Sequence, residues 1–226
     1  MSTRGKLLGL ISILVILLSA SAYAQSVISL GDVGGAPGST IQVPVKATGD
    51  GIAGVNLAVK FDPTVLSFPG DQVTGDPATD DSEPKVTTGD LSEGFKSYYA
   101  LQDNNEEVRL IVSPESAPVS TFNTGEGTVA YIEFVIAADA TQCSNTTVTF
   151  ETAVPEQFGV SDDQGNSITG NYTTQEVNVQ VTRPGDFNGD GSVNLSDFTI
   201  LVVGWQTDYV LADFTQLVVN WMQSCE

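Results

Sequence analysis

The sequence predicts a mainly-β protein: an antiparallel sandwich of two sheets, followed by a small α-helical module. Three observations predict it. Apolar and polar residues alternate in rows between Ser26 and Val181, the period of strands with one face buried. Turn-rich stretches such as "GDVGGAPGS", "PGDQVTGDPATDDSEP" and "SDDQGNSITGN" separate the rows, and no helical stripe interrupts them. After Val181 the pattern changes to an acidic loop and two short apolar runs with helical spacing.

The first element, Met1–Ala24, has the form of a secretory signal. Arg4 and Lys6 precede the apolar run Leu7–Leu18, and Ala22 and Ala24 carry the A-x-A spacing of a cleavage site. Twelve apolar residues are short for a spanning helix, which needs about 20. A cleaved signal and a retained anchor both export the chain, and secretion or display at the cell surface is expected. Without the leader the chain has 6 basic and 28 acidic side chains, a net charge of −22. That balance excludes nucleic acid as a partner, because affinity for phosphates comes largely from Lys and Arg. It equally excludes an anionic bilayer. Solubility in a salty medium accounts for bulk charge of this kind; attraction of calcium needs specific residues.

The strands follow in order. "TIQVPVKA" points Ile41, Val43 and Val45 inward, and "AGVNLAVKF" does so with Val55, Leu57, Val59 and Phe61. "EVRLIV" gives Val108, Leu110 and Val112, and "VAYIEFVI" gives Ala130, Ile132, Phe134 and Ile136. "EVNVQV" closes the series with Val177, Val179 and Val181. Asp62-Pro63 ends a strand in a turn, and Pro44, which has no N–H to give a ladder, belongs at an edge or a bulge. Many short strands with Gly/Pro/Asp punctuation point to two packed sheets. Cys143 and Cys225 are the only cysteines. They either form one bridge tying the chain end to the first domain or remain free thiols.

In the tail, the stretch from Asp186 to Asp197 reads as a calcium loop. Oxygen donors fall at Asp186, Asn188, Asp190, Ser192 (backbone carbonyl), Asn194 and Asp197, with Gly191 at the sharp bend. Calcium takes six to eight oxygens, and a twelve-residue loop delivers them at these positions. The alternative is a solvated Asp/Gly turn. Phe198, Leu201 and Val202, and then Phe214, Leu217, Val218 and Trp221, form two apolar stripes, which predict two helices of roughly ten residues covering each other. Neither is stable alone at that length. At an offset of sixteen the second stretch repeats the first: Leu195 falls on Leu211, Asp197 on Asp213, Phe198 on Phe214, Leu201 on Leu217 and Trp205 on Trp221. The second copy has Val202, Gly204 and Gln206 where ligands would stand. One calcium ion per chain is therefore expected. Both tryptophans are expected to be core or cap residues, with a sugar contact as the alternative. Chelation is expected to melt Asp186–Glu226 and spare Ser26–Val181.

Two family resemblances follow from these motifs. "GDVGGAPGSTIQVPVKATGDGIAGVNLAVKFDPTVLSF" (Gly31–Phe68) and "GEGTVAYIEFVI" (Gly125–Ile136) resemble the strands of a cohesin domain, which implies a cohesin-like jelly roll over 26–182. Gly185–Trp205 resembles a type I dockerin repeat, with a strand rather than a helix before the loop and Asp rather than Glu at its last position. Residues 183–226 thus resemble a dockerin with one calcium loop and two helices. These resemblances imply an exported, non-catalytic assembly protein of polysaccharide-degrading complexes. Its partners would be dockerin-bearing and cohesin-bearing exported proteins, with Leu195 and Ser196 facing the tail's partner. The short link Thr182–Gly185 allows the tail to pack on its own sandwich instead. The alternative is a carbohydrate-binding or adhesion sandwich with a calcium-stabilised tail, in which polysaccharide is the ligand. Of Tyr98 and Tyr99, consecutive in "GFKSYYAL", only one could join a flat sugar platform. An enzyme is disfavoured: zero histidines remove His-based triads, and the two modules leave no room for a catalytic domain.

Overall fold

The structure is a computed structural model and describes residues 26–48, 51–70, 85–102, 105–114, 121–123, 125–154 and 157–225. The N-terminal leader and the acidic turn at 71–84 lie outside these residues. The strands are β1 (Ser26–Leu30), β2 (Val33–Gly35), β3 (Thr40–Thr48), β4 (Gly54–Lys60), β5 (Leu66–Ser67), β6 (Val86–Thr88) and β7 (Lys96–Leu101). They continue with β8 (Glu107–Ser113), β9 (Glu126–Ile136), β10 (Ser144–Phe150), β11 (Phe158–Ser161), β12 (Tyr172–Gln175) and β13 (Val177–Val181). Two helices close the chain, α1 (Leu195–Val203) and α2 (Leu211–Val219).

The strands form two sheets. One runs β12-β1-β3-β9-β5, with β6 also on β9; the other runs β2-β13-β10-β4-β8-β7, with β11 also on β4. Every inward residue of the five alternating rows is buried, from Ile41 on β3 to Val181 on β13. The side-chain period of two put all of them on the core face together. Phe61 and Phe68 meet Phe134 edge-on across the core, with centroids 5.0 and 6.2 Å away.

Two expectations need correction, and a third is met only locally. The sandwich is not purely antiparallel: β1 runs parallel to β12 and β2 parallel to β13. Val33–Gly35, within a stretch that reads as a turn, is a strand on the edge of the second sheet. Its two glycines and short length hide it from a periodicity argument. Pro44 lies on an interior strand, between β1 and β9. Its carbonyl accepts from Gly31 N at 2.8 Å, one residue beyond the end of β1. The N–H it lacks points to that same side, where no strand continues, and the ladder shifts register just after it, between Val45 and Lys46. The edge condition for proline is thus met locally.

Asp62 behaves as expected of a strand-ending turn. Its Oδ1 accepts from Thr64 N at 2.9 Å and from the Thr64 hydroxyl at 2.7 Å. The hydroxyl, then the amide, holds the Asp62 carboxyl below its usual range.

Candidate functional site

The tail begins where β13 ends. Thr182 N donates to Gly35 O at 2.8 Å, and Asp186 N donates to Arg183 O at 3.1 Å, closing a turn at Pro184-Gly185. Gly185 has φ +95°, and a Cβ there would lie 2.7 Å from the Cα of Leu217. Only glycine lets α2 approach this closely.

The acidic loop wraps around its own first residue. Asp186 Oδ1 accepts from Gly189 N (2.9 Å) and Asp190 N (3.2 Å), and Oδ2 from Gly191 N (2.8 Å). Gly189 and Gly191 adopt φ +71° and +85°, which turn successive amides onto one carboxylate. Asp190 Oδ1 accepts from Ser192 N at 2.8 Å, and its Oδ2 accepts from Asn188 Nδ2 at 2.9 Å. From the other end Asp197 Oδ1 accepts from Phe187 N (2.8 Å) and Asn188 N (3.2 Å), and its Oδ2 accepts from Asn194 N (2.8 Å). Asn194 Oδ1 in turn accepts from Ser196 N at 2.8 Å, capping α1.

Two of these carboxylates are buried: Asp186 is 5% exposed and Asp197 0%. Burial pushes the Asp186 carboxyl above its usual range, the Gly191 amide opposes that, and the charges of Asp197 and Asp190 push it further. No lysine or arginine follows Arg183 in the chain to offset them. A buried carboxylate with like charges beside it and no ion pair to a basic side chain among the described residues fits a bound cation. All six predicted donors are oxygens, the chemistry of a hard ion such as calcium. Among the described residues, however, no three His, Cys, Asp or Glu side chains form a ready-made cage. The loop's carboxylates are turned onto its own amides, and its set depends on Asn188, Asn194 and the Ser192 carbonyl as well.

The helices follow, and here the sequence expectation fails in part. They pair, but only Leu201 and Leu217 are buried between them, with Val193 from the loop. Phe187 and Tyr209 cover this small core, their rings 4.6 Å apart. The remaining stripe residues face outward. Exposure repeats between the two copies: Phe198 36% and Phe214 37%, Val202 53% and Val218 52%, Trp205 39% and Trp221 40%. The tryptophans are therefore not core residues; each directly follows the C-cap of its helix, Gly204 or Asn220, and Trp205 meets Phe214 edge-on at 6.5 Å. Two nine-residue helices that bury only Leu201 and Leu217 have too little shared surface to hide both stripes. Leu195 and Ser196 are exposed at the start of α1. Val193, at a loop position, is a core residue that ligand counting passes over; its apolar side chain between Ser192 and Asn194 was the available signal.

The tail is also fixed to the sandwich. Gly34 of β2 and Gly189 of the loop meet so closely that a Cβ on Gly34 would lie 2.7 Å from Gly189 O. A Cβ on Gly191 would lie 3.0 Å from Gln180 Oε1 on β13. Cys143 and Cys225 form a disulfide, which settles the choice between a bridge and free thiols. A cavity of about 540 Å³ lies along this joint, between the β2–β3 turn and Phe187, Tyr209, Asp213 and Gln216.

On the sandwich, Tyr99 packs edge-on against Phe68 at 5.5 Å, and no aromatic side chain among the described sandwich residues is exposed. Tyr98, Tyr99 and Tyr131 are half-buried. No described helix is long and apolar enough to cross a membrane.

Comparison with curated proteins finds no match. Among solved structures, the third cohesin ScaC of Acetivibrio cellulolyticus, in complex with the ScaB dockerin, is similar at 18% identity and TM-score 0.53, covering 69% of this chain and 98% of that one. The OlpA cohesin of Clostridium thermocellum, in complex with Doc918, is similar at 19% identity and TM-score 0.52, covering 70% and 99%. A non-cellulosomal cohesin of the archaeon Archaeoglobus fulgidus is similar at 19% identity and TM-score 0.50, covering 70% and 91%. At such identities these likenesses show the fold. The family model described as Cohesin domain matches residues 26–179, and on that match the chain belongs to the cohesin domain family, whose domains are non-catalytic modules of protein–protein recognition.

Proposed function

We propose that this chain is an exported, non-catalytic assembly protein with two recognition surfaces, working among polysaccharide-degrading proteins. The sandwich receives the dockerin of one partner. The tail, a dockerin-like module organised by one calcium ion on Asp186, Asn188, Asp190, Ser192, Asn194 and Asp197, docks on the cohesin of another. Family membership supports the first surface, as does the similarity to cohesins solved with dockerins bound.

The observation that carries the second surface is the duplicated apolar face of α1 and α2. Twelve large hydrophobic side chains between Leu195 and Met222 are exposed, against two, Ile111 and Val154, among the described sandwich residues. Patches of this kind, outside an otherwise well-buried fold, mark interaction sites. The tail carries acidic but no basic residues after Arg183, so the matching surface should be apolar with a neutral or basic rim. Leu195 and Ser196, both exposed, begin α1, one of the two helices that carry this face.

The test is capture of the source organism's exported proteins on the immobilised full chain, with calcium and with chelator. Dockerin-bearing and cohesin-bearing proteins should be retained with calcium. Phe198→Asp with Phe214→Asp should remove the cohesin-bearing set alone. Retention of polysaccharide, with neither protein class, would overturn the reading in favour of a carbohydrate-binding sandwich.

A further inference from the structure

After α2 the chain does not leave the module. Residues 222–225 run back, antiparallel, along the exit of the acidic loop. Met222 N donates to Val193 O and Val193 N to Gln223 O, both at 2.8 Å. Ser192 and Ser224 form an antiparallel bridge, and Cys225 N donates to Gly191 O at 2.7 Å. The disulfide then joins Cys225 to Cys143. Cys143 is itself anchored, its N–H donating to Val181 O just ahead of β10. A continuous connection therefore runs from the sandwich, through one covalent bond and one short ladder, to the carbonyls of Gly191 and Val193. Between them lies Ser192, whose carbonyl is the backbone ligand of the proposed calcium set.

The second copy of the repeat has no acidic loop, and residues 222–225 lie along the exit of the first copy's loop. Such a segment would ordinarily fray. Its side chains are largely exposed (Met222 76%), and a short exposed segment outside helix and sheet stays ordered only when tied down. We propose that Cys143 and Cys225 are positioning residues for the cation loop. By pinning residues 222–225, the bridge holds Gly191–Val193 in place and presets the Ser192 carbonyl before the ion arrives. This rests on the reading of Asp186–Asp197 as a calcium loop. A loop already ordered loses less conformational freedom on binding and holds its ligand more tightly.

The test is calorimetric titration of calcium into three forms of the full chain: oxidised, reduced with a phosphine, and Cys143→Ser/Cys225→Ser. Amide hydrogen exchange at Gly191–Val193 is followed alongside, and sandwich folding by near-UV circular dichroism. The oxidised chain should bind one ion; the reduced chain and the double variant should bind it about tenfold more weakly or worse, with faster exchange at Gly191–Val193 and an unchanged sandwich. Reoxidation of the reduced chain should restore the affinity, which a general loss of structure would not do. If the variant fails to fold, the reduced chain decides. Equal affinity in all forms that bind overturns the positioning role and leaves the calcium loop standing. No binding by the oxidised chain overturns the calcium loop itself.

Discussion

Asp197 and Asp213 stand at equivalent places in two copies of one repeat and do different amounts of work. Both accept a hydrogen bond from the backbone N–H three residues earlier, Asn194 at 2.8 Å and Val210 at 2.7 Å. Asp197 in addition reaches back to Phe187 and Asn188 across the loop, whereas Asp213 has no loop to reach. Val210 has no polar side-chain atom, so the reciprocal half of the cap present at Asn194 is absent in the second copy. Asp213 therefore persists as a helix cap. Asp213→Ala should destabilise α2 by about 1 kcal/mol and leave calcium binding intact. Asp190→Ala should abolish calcium binding and leave the sandwich folded, since its contacts lie within the loop. Titration of the two variants side by side separates the roles.

At the scale of elements, period two was enough to place the inner faces of five strands, because one buried face fixes register and orientation together. The pairing partners were not legible in the same way. β1 with β12 and β2 with β13 are parallel pairs between segments far apart in sequence, and a three-residue strand ending in Gly34-Gly35 has no alternation to read. That Asp186–Asp197 folds as one self-bonded loop was legible, since its residues lie within twelve positions; that it holds an ion is the proposal. The helix faces were legible as stripes, but a stripe does not say what covers it. Leu217 is buried and Val203 is 83% exposed, and this sets a prediction. Leu217→Ala should destabilise the tail by about 2–4 kcal/mol, while Val203→Ala should stay within about 0.5 kcal/mol. Tail-specific protease sensitivity in each variant checks both.

For the whole molecule, the joint matters as much as the modules. The tail leaves β13 at Val181 and returns to the sandwich at Cys225 through the disulfide. Expectations of a freely melting tail change accordingly. Chelation should open the loop and helices between two fixed ends, giving protease cuts between Gly185 and Trp221 that leave the fragments linked until the disulfide is reduced. Uncut tail under chelation would show that packing on β2 and β13 holds it without the ion. The same joint would set the directions of the two proposed recognition surfaces, so partners on the sandwich and on the helices would sit at a defined angle rather than on a swinging linker.

The central claim is that a cohesin sandwich carries a second recognition surface organised by a single cation. Calcium titration of the intact, oxidised chain by calorimetry tests it most directly. The account predicts one site per chain, lost in Asp190→Ala and kept in Asp213→Ala. No binding, or two sites of equal affinity, would contradict it.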